Sequence, residues 1–281
     1  MEDMSQKKAH KILDRPILST ILLYVFVLVL SGVLQLPKYF LWGTTTSGEM
    51  QYLYDIIESF VLLLITELIY TKVWFRGEFE GTFKGDLGYG FWLLIPLFAV
   101  EIVIFVFERI MGIGSLNNIL FVLSLSVTAG IIEELTFRSL IIANLMRIAK
   151  TYKGMLAAVA STSLIFGAVH MTNLLQGANL SRTISQFFSA TIMGIFMAAV
   201  YLACGSILPA MVFHFLNDVI ALLFLEINAS GATVEGVTMT SMIENLLIDA
   251  VLLIIAFGLL RPGNYDKIRR VWDEKWSISS K

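Results

Sequence analysis

The sequence has little of what soluble and disulfide-linked proteins use. Of its 281 residues only 15% are charged, and it has 5 prolines, 3 histidines and 1 cysteine. The single cysteine, Cys204, excludes an internal disulfide and a zinc site built from several cysteines. The net charge of −2 excludes the strongly basic surface that nucleic-acid binding needs. Soluble globular domains carry about 25% charged residues, so a soluble enzyme is excluded as well.

Apolar residues are abundant instead. They make up 57% of the chain, and a membrane-spanning helix needs about 20 of them, so the content would fill about eight spans. Lipid restricts the backbone to helices or closed barrels, and the apolar runs lack the alternation of barrel strands. We therefore expect an all-α, polytopic integral membrane helix bundle in which residues 1–281 form one membrane domain. The predicted spans, the first of them retained and not cleaved as a signal peptide, are residues 17–36, 53–74, 89–111, 119–147, 154–171, 183–204, 206–225 and 242–260.

Lysine and arginine are distributed unevenly over the connections between these spans. Counted by side of the membrane and including residues at the span ends, 16 of the 20 lie with the N-terminal segment, the second and fourth connections and the C-terminal segment, and 3, Lys38, Arg109 and Arg182, lie on the other side. The last one, Arg138, lies within a span. Because cytoplasmic loops carry the excess of Lys and Arg, we expect both termini to be cytoplasmic. Residues 262–281 are then a basic cytoplasmic tail.

The fourth span carries three ionisable residues in the run Glu133-Glu134-Leu-Thr-Phe-Arg138. Each such group costs at least roughly 2.5–3.5 kcal/mol at mid-bilayer, so it persists where it is paired, lines a cavity or takes part in chemistry. Glu134 and Arg138 have the spacing and order of a helical ion pair. Glu133 lies about 100° around the helix and stays available as a general base. The alternative is that all three residues only lock helices together.

Two further spans carry polar residues at helical spacing. The fifth contains Phe166 and, four residues later, His170, which could act in catalysis or only hydrogen-bond to a neighbouring helix. The seventh contains His214, Asn217 and Asp218, and a carboxylate four residues after a histidine can fix the tautomer of its ring. At about 1.5 Å rise per residue all three motifs fall near mid-membrane. We therefore expect them to converge on one site.

Other features are expected to be structural. Gly194 and Ala198 predict close helix packing, and Cys204 is expected to be a packing residue. Residues 75–88, with phenylalanine and glycine each recurring every four positions, are expected to be an interfacial connector with aromatic anchors; a flexible gate is the alternative. Three acids that lie alone in spans are expected to pair with a neighbouring helix or to line a cavity: Glu67, Glu101 and Asp249.

Taken together, Glu-Glu-x-x-x-Arg, Phe-x-x-x-His and His-x-x-x-(Asn/Asp), each in its own membrane helix, resemble the motifs of a known family. This is the CAAX-protease and bacteriocin-processing family, also called CPBP or Abi, of intramembrane proteases. The matching core covers residues 117–225. The resemblance implies a polytopic helical protease with a cavity open to the membrane or the cytosol.

The resemblance also implies a role for each motif residue. Glu133 and His170 would activate a water, and His214 with Asp218 would bind the oxyanion. Glu134 and Arg138, with Phe166, would support the site. The last motif of the family more often ends in Asn, and an ionised Asp cannot donate a hydrogen bond. Three readings follow: Asp218 orients His214, Asp218 is protonated, or Asn217 is the donor.

Two alternatives for the cofactor stay open. No cofactor is required if Glu133 and His170 activate the water without a metal, and the absence of a His-Glu-x-x-His motif favours this alternative. In the other, a divalent metal such as zinc is held by His170, His214 and Asp218, which would give three ligands and an open position.

The function expected from these residues is endopeptidase action on a peptide or protein substrate at the membrane. The implied partners are that substrate and the lipid bilayer, with no nucleic acid. A bacterial plasma membrane is favoured over the endoplasmic reticulum. Two alternatives are a non-enzymatic bacteriocin-immunity or signalling protein of the same fold, and an ion-coupled transporter. The transporter is disfavoured because the motifs all lie in the second half of the chain, without an inverted repeat.

Overall fold

The computed structural model of the chain describes residues 15–43, 48–75, 78–110, 119–229 and 239–276, and all regular elements in these ranges are helices. Each of the eight apolar stretches coincides with one helix, because only a helix satisfies the backbone hydrogen bonds of a lipid-embedded segment internally. A ninth helix follows the last stretch. The helices are α1 (Pro16–Trp42), α2 (Glu49–Leu68, continued by a π-helix Ile69–Trp74), α3 (Leu87–Ile110), α4 (Ile119–Leu145), α5 (Tyr152–His170), α6 (Leu180–Cys204), α7 (Leu208–Ala229), α8 (Met239–Leu260) and α9 (Tyr265–Lys275).

The prediction of a multi-pass membrane protein is confirmed in this coarser form. Within the described ranges four helices are long and apolar enough to cross a membrane, namely α1, α4, α5 and α6. A fifth is added if α8 and the segment after it, bent by 52°, count as one span. The full set of eight spans and the cytoplasmic location of both termini remain predictions.

Contacts between connections define two ends of the bundle. At one end, which we call the inner end, the Asn144 side chain donates to the carbonyl oxygen of Pro16, and Arg269 on α9 donates to the carbonyl oxygen of Met146. Both described ends of the chain, and the connections predicted to be cytoplasmic, thus meet at the inner end. At the opposite, outer end, Lys38 near the end of α1 forms an ion pair with Asp55 on α2.

Small residues set the close approach of the helices that carry the motifs. A Cβ added to Gly167 on α5 would lie 2.6 Å from the carbonyl oxygen of Phe187 on α6, and one added to Gly194 would lie 3.1 Å from the Cβ of Ser163. Gly194 and Ala198 are both buried, as the sequence predicted. On α4, a Cβ at Gly130 would lie 3.3 Å from the carbonyl oxygen of Met211 on α7. These contacts bring α4, α5 and α7 together around the motif residues.

The inner end is covered by α9 and by the segment of residues 78–86. Trp272 of α9 is fully buried, and the ring of Trp276 packs on Phe79 at 4.4 Å. The ammonium group of Lys275 donates to the carbonyl oxygens of Gly81 and Lys84 at 2.8 and 2.5 Å. We call this unit, residues 78–86 with α9 and Trp276, the inner cap. Most of the predicted basic tail is therefore a packed helix, and of the connector's phenylalanines Phe75 and Phe79 are buried while Phe83 is partly buried.

Of the three acids that lie alone in spans, two have hydrogen-bond partners in the described part of the structure. Glu67 accepts hydrogen bonds from the backbone and hydroxyl of Thr82, which ties α2 to the inner cap. Asp249 accepts one from Ser189 at 2.8 Å. The side chain of Glu101 lies outside the described part of the structure. Cys204 is buried and its thiol donates to the carbonyl oxygen of Ser206, so its predicted packing role agrees with its surroundings.

Candidate active site

The carboxylate of Glu134 lies at the centre of the motif residues. Its Oε1 atom is 2.9 Å from Nη1 of Arg138, one turn further along α4, and 2.9 Å from Nδ1 of His214 on α7. All three side chains are at most 5% exposed. The ion pair predicted from the spacing within α4 is present. The contact with His214 joins two helices and was not predicted, because sequence spacing reports only contacts within one helix.

The second nitrogen of His214 faces two further carboxylates. Its Nε2 lies 3.7 Å from Oε2 of Glu133 and 3.5 Å from Oδ2 of Asp218. These two acids are partly exposed, with 32% and 24% of their side chains accessible. Oε2 of Glu133 has no hydrogen-bond partner within the described ranges. A free carboxylate oxygen and an imidazole nitrogen therefore face the same space.

Phe166 packs against Arg138 and both histidines of the site. The guanidinium carbon of Arg138 lies 4.4 Å from the centre of its ring, a distance typical of a cation–π contact. The ring meets those of His170 and His214 edge to face, with centroids 5.0 and 6.1 Å apart. Phe137, which the sequence did not single out, packs on its far side at 5.1 Å. Aromatic pairs of this kind fix the orientation of the rings.

His170 has its tautomer set by its own helix. Its Nδ1 is 2.9 Å from the carbonyl oxygen of Phe166. A carbonyl oxygen can only accept, so Nδ1 carries the proton and Nε2 of the neutral ring is left as an acceptor. The ring of Phe166 contacts those of both His170 and His214. The three motifs thus meet at one place.

In the structure, His214 has a different hydrogen-bond partner from the one that the sequence suggested. The sequence paired it with Asp218, four residues later, as the group that could fix its tautomer. In the structure the short hydrogen bond to the ring is made by Glu134, and the contact with Asp218 is 3.5 Å long. The side chain of Asn217 hydrogen-bonds to Asp218 and is half-buried.

The same geometry shows whether the predicted ligands are placed to hold a metal ion. One ring nitrogen of His170 faces a backbone carbonyl, and one of His214 faces Glu134. Over the described ranges, no three His, Cys, Asp or Glu side chains form a group that could hold a metal ion. As they stand, His170, His214 and Asp218 therefore do not fit the tripod that zinc requires.

Comparison with known families identifies the region that carries this geometry. Residues 115–220 match the family described as type II CAAX prenyl endopeptidase Rce1-like, a family of proteases. The comparisons with curated proteins and with solved structures each found no match. The matched range agrees with the predicted core, 117–225, and contains all three motifs. The resemblance expected from the motifs is confirmed: residues 115–220 of this chain match the Rce1-like family of type II CAAX prenyl endopeptidases.

Proposed function

We propose that the protein is an intramembrane endopeptidase that hydrolyses a peptide bond with a water activated by Glu133 and His170. The proposal rests on the family match and on one observation above all. Oε2 of Glu133 is buried and has no hydrogen-bond partner in the described ranges, and it lies 3.7 Å from Nε2 of His214. In this arrangement Glu133 can accept a proton from a water, and His214 can donate a hydrogen bond to the carbonyl oxygen of the substrate that the water attacks.

The proposed reaction starts with the water. Glu133 accepts one of its protons, and the lone pair of His170 Nε2 accepts a hydrogen bond from the other. The water oxygen bonds to the carbonyl carbon of the substrate, and the carbonyl electrons move onto its oxygen. Glu133 then returns the proton to the amide nitrogen. The carbon–nitrogen bond breaks, leaving a carboxyl group on one product and an amine on the other.

His214 is proposed to stabilise the oxyanion of this intermediate. An imidazolium donates from both nitrogens, and here Nδ1 has Glu134 as its acceptor while Nε2 is directed towards the space beside Glu133. Asp218 is proposed to position this ring as an ionised carboxylate, since the amide of Asn217 is already hydrogen-bonded to it. Oriented donors in a water-poor site are typically worth about 2.7–4 kcal/mol each.

The test uses protein purified in detergent and two quenched fluorescent peptides that differ only in a C-terminal farnesyl group. We expect Glu133→Gln to reduce cleavage by about 10²–10⁴, the usual contribution of a general base. The matched control is Asp249→Asn, which alters a buried carboxylate away from the site and should keep the wild-type rate. Wild-type activity in Glu133→Gln would contradict the mechanism. A wild-type protein that binds but cleaves neither peptide would favour the non-enzymatic alternative.

The same preparation tests the metal-free form of the proposal. We expect a strong chelator to leave the cleavage rate unchanged, because the proposed His214 imidazolium donates from both nitrogens and has no lone pair with which to bind a metal. The measurement is the rate before and after chelation, together with the metal content of the protein by mass spectrometry. A loss of activity that zinc restores would replace this mechanism by the metal-dependent alternative.

A further inference from the structure

Directly after Glu134, helix α4 changes from an α-helix to a π-helix. The π-helical stretch covers Leu135–Ile142, and the α-helical pattern returns at Ala143. π-helices are rare, and short ones inside α-helices occur frequently at functional sites. Arg138, which pairs with Glu134, lies within this stretch. The interactions that stabilise the stretch therefore decide where the arginine of the ion pair lies.

The return to the α-helical pattern leaves one carbonyl oxygen without a donor from the helix. The N–H group of Ala143 bonds to the carbonyl oxygen of Arg138, five residues back, whereas that of Met146 bonds to the oxygen of Ile142, four residues back. From Ala143 to Met146 there are four N–H groups, but from Arg138 to Ile142 there are five carbonyl oxygens. A buried carbonyl oxygen without a donor is destabilising, and lipid offers no donor.

The side chain of Tyr70, in the π-helical end of α2, supplies the additional donor. Its hydroxyl donates to the carbonyl oxygen of Ser139 at 3.1 Å, and both residues are fully buried. Ser139 is the chain neighbour of Arg138. The rings of Phe75 and Phe79 meet the ring of Tyr70 edge on, with centroids 4.8 and 5.3 Å away. Loss of the hydroxyl alone would leave these ring contacts in place.

We propose that Tyr70 is a positioning residue of the site: its hydroxyl stabilises the π-helical stretch of α4 and thereby the placement of Glu134 against Arg138. Without this donor a continuous α-helix is favoured, because it pairs every buried carbonyl oxygen. The change would rotate the outer half of α4, with Glu133 and Glu134, by about 100° relative to the inner half. Glu134 would then lose its contacts with Arg138 and His214. This inference deepens the proposed function and rests on it for the effect on cleavage.

The test removes a single hydroxyl from α2. Tyr70→Phe deletes the donor and keeps the ring. Tyr54→Phe is the matched control, because Tyr54 lies on the same helix near the outer end and donates its hydroxyl to the carbonyl oxygen of Leu34 on α1. Both variants lose a bond from a tyrosine hydroxyl to a helical carbonyl oxygen, and they differ only in where that bond lies.

In the assay with the quenched fluorescent peptides, we expect Tyr70→Phe to lower kcat by roughly 10- to 100-fold, the effect of a small displacement of reacting groups. The KM should stay unchanged, because the loss falls on the transition state and not on substrate binding. Tyr54→Phe should keep both constants. A wild-type kcat in Tyr70→Phe would overturn the proposal, and so would a rise in KM alone.

A second measurement does not depend on cleavage. Unfolding temperatures in detergent are compared for Tyr70→Phe, Arg138→Met and the double variant. Because the hydroxyl acts through the placement of Arg138, we expect the two losses to be non-additive, with Tyr70→Phe costing less in the Arg138→Met background. Tyr54→Phe should cost the same in both backgrounds. Additive losses for Tyr70→Phe and Arg138→Met would overturn the positioning role.

The two measurements separate this inference from the proposed function. A wild-type protein that cleaves neither peptide would refute the proposed function, and the unfolding temperatures would still decide whether Tyr70 positions the ion pair. Cleavage by the wild type together with additive losses would refute only the role of Tyr70.

Discussion

A single carboxylate oxygen, Oε1 of Glu134, lies 2.9 Å from both Arg138 and His214. The arginine balances the charge of the carboxylate, and the carboxylate in turn holds the imidazole. Glu134 thus links a pair within one helix to a residue that the proposed reaction uses. The two adjacent glutamates differ in surroundings, because Glu134 lies in this buried network on the Nδ1 side of His214 and Glu133 lies on its Nε2 side.

Removing one member of the pair should cost more than removing both. Arg138→Met leaves the carboxylate of Glu134 buried without its cation, which typically costs about 3–5 kcal/mol. In the double variant Glu134→Gln/Arg138→Met the charge is gone, while the glutamine oxygen can still accept from His214. We therefore expect the double variant to regain much of the lost stability.

Thermal unfolding in detergent, followed with a thiol-reactive dye that reports exposure of the buried Cys204, measures this difference. Arg182→Met, which removes an exposed arginine, is the control and should leave the unfolding temperature unchanged. A double variant as unstable as Arg138→Met alone would show that charge balance is not what Arg138 contributes.

At the scale of the elements, the site depends on how closely α5 approaches α6. Gly167 lies next to Phe166 and one turn from His170, and a Cβ there would be 2.0 Å from the hydroxyl oxygen of Thr191 as well as 2.6 Å from a backbone oxygen of α6. The backbone atom cannot rotate away, so the helices must separate. A shift of α5 would carry His170 with it.

Gly167→Ala should therefore destabilise the protein by about 1–3 kcal/mol, the usual cost of overpacking, and lower cleavage as well. The matched control is Gly258→Ala on α8, where a Cβ meets no atom within 4 Å. Alanine is the better helix former by about 1 kcal/mol, so this control should be neutral or slightly stabilising. Equal unfolding temperatures for the two variants would contradict the close-packing account.

The sequence predicted the elements well, and the contacts within single helices. Apolar runs and the spacing of Glu134 and Arg138 are properties of one segment, so they can be read directly. The bond between Glu134 and His214 depends on how α4 and α7 pack, which no local pattern reports. Lys275 was assigned to a basic tail for the same reason, since nothing near it in sequence shows that carbonyl oxygens from another connection surround it.

At the scale of the whole molecule, the inner cap closes one end of the bundle around Lys275, which lies on the charged helix α9 beyond the last apolar stretch. Burial is the main cause that lowers the pKa of Lys275 from 10.5 to about 8, while the charge of Glu67 opposes the shift. Gly81 supplies one of the carbonyl oxygens that accept from this side chain, and its φ of 106° is a conformation that suits glycine.

This shifted pKa predicts how stability depends on pH. Between about pH 8 and 10.5 the unfolded chain holds the Lys275 proton more tightly than the folded chain. The free energy of unfolding should therefore rise as the pH increases through this window. Below pH 8 both states are protonated, and this residue adds no pH dependence.

Lys275→Met should remove that rise, although it lowers stability overall by deleting two hydrogen bonds. Unfolding temperatures measured at several pH values from 7 to 10 give the slope for each variant. Lys267→Met, which removes an exposed lysine of the same helix, should keep the wild-type slope. An unchanged slope in Lys275→Met would assign the pH dependence to other groups.

The spacing of the charged residues has a consequence for biogenesis. Arg138 has its counter-ion one turn away on α4, and His214 has Asp218 one turn away on α7. In each nascent segment this one pair can therefore form before the tertiary partners have been synthesised. Arg138→Lys should preserve this co-translational insertion and Glu134→Ala should impair it, which a glycosylation-reporter fusion of α4 alone would reveal.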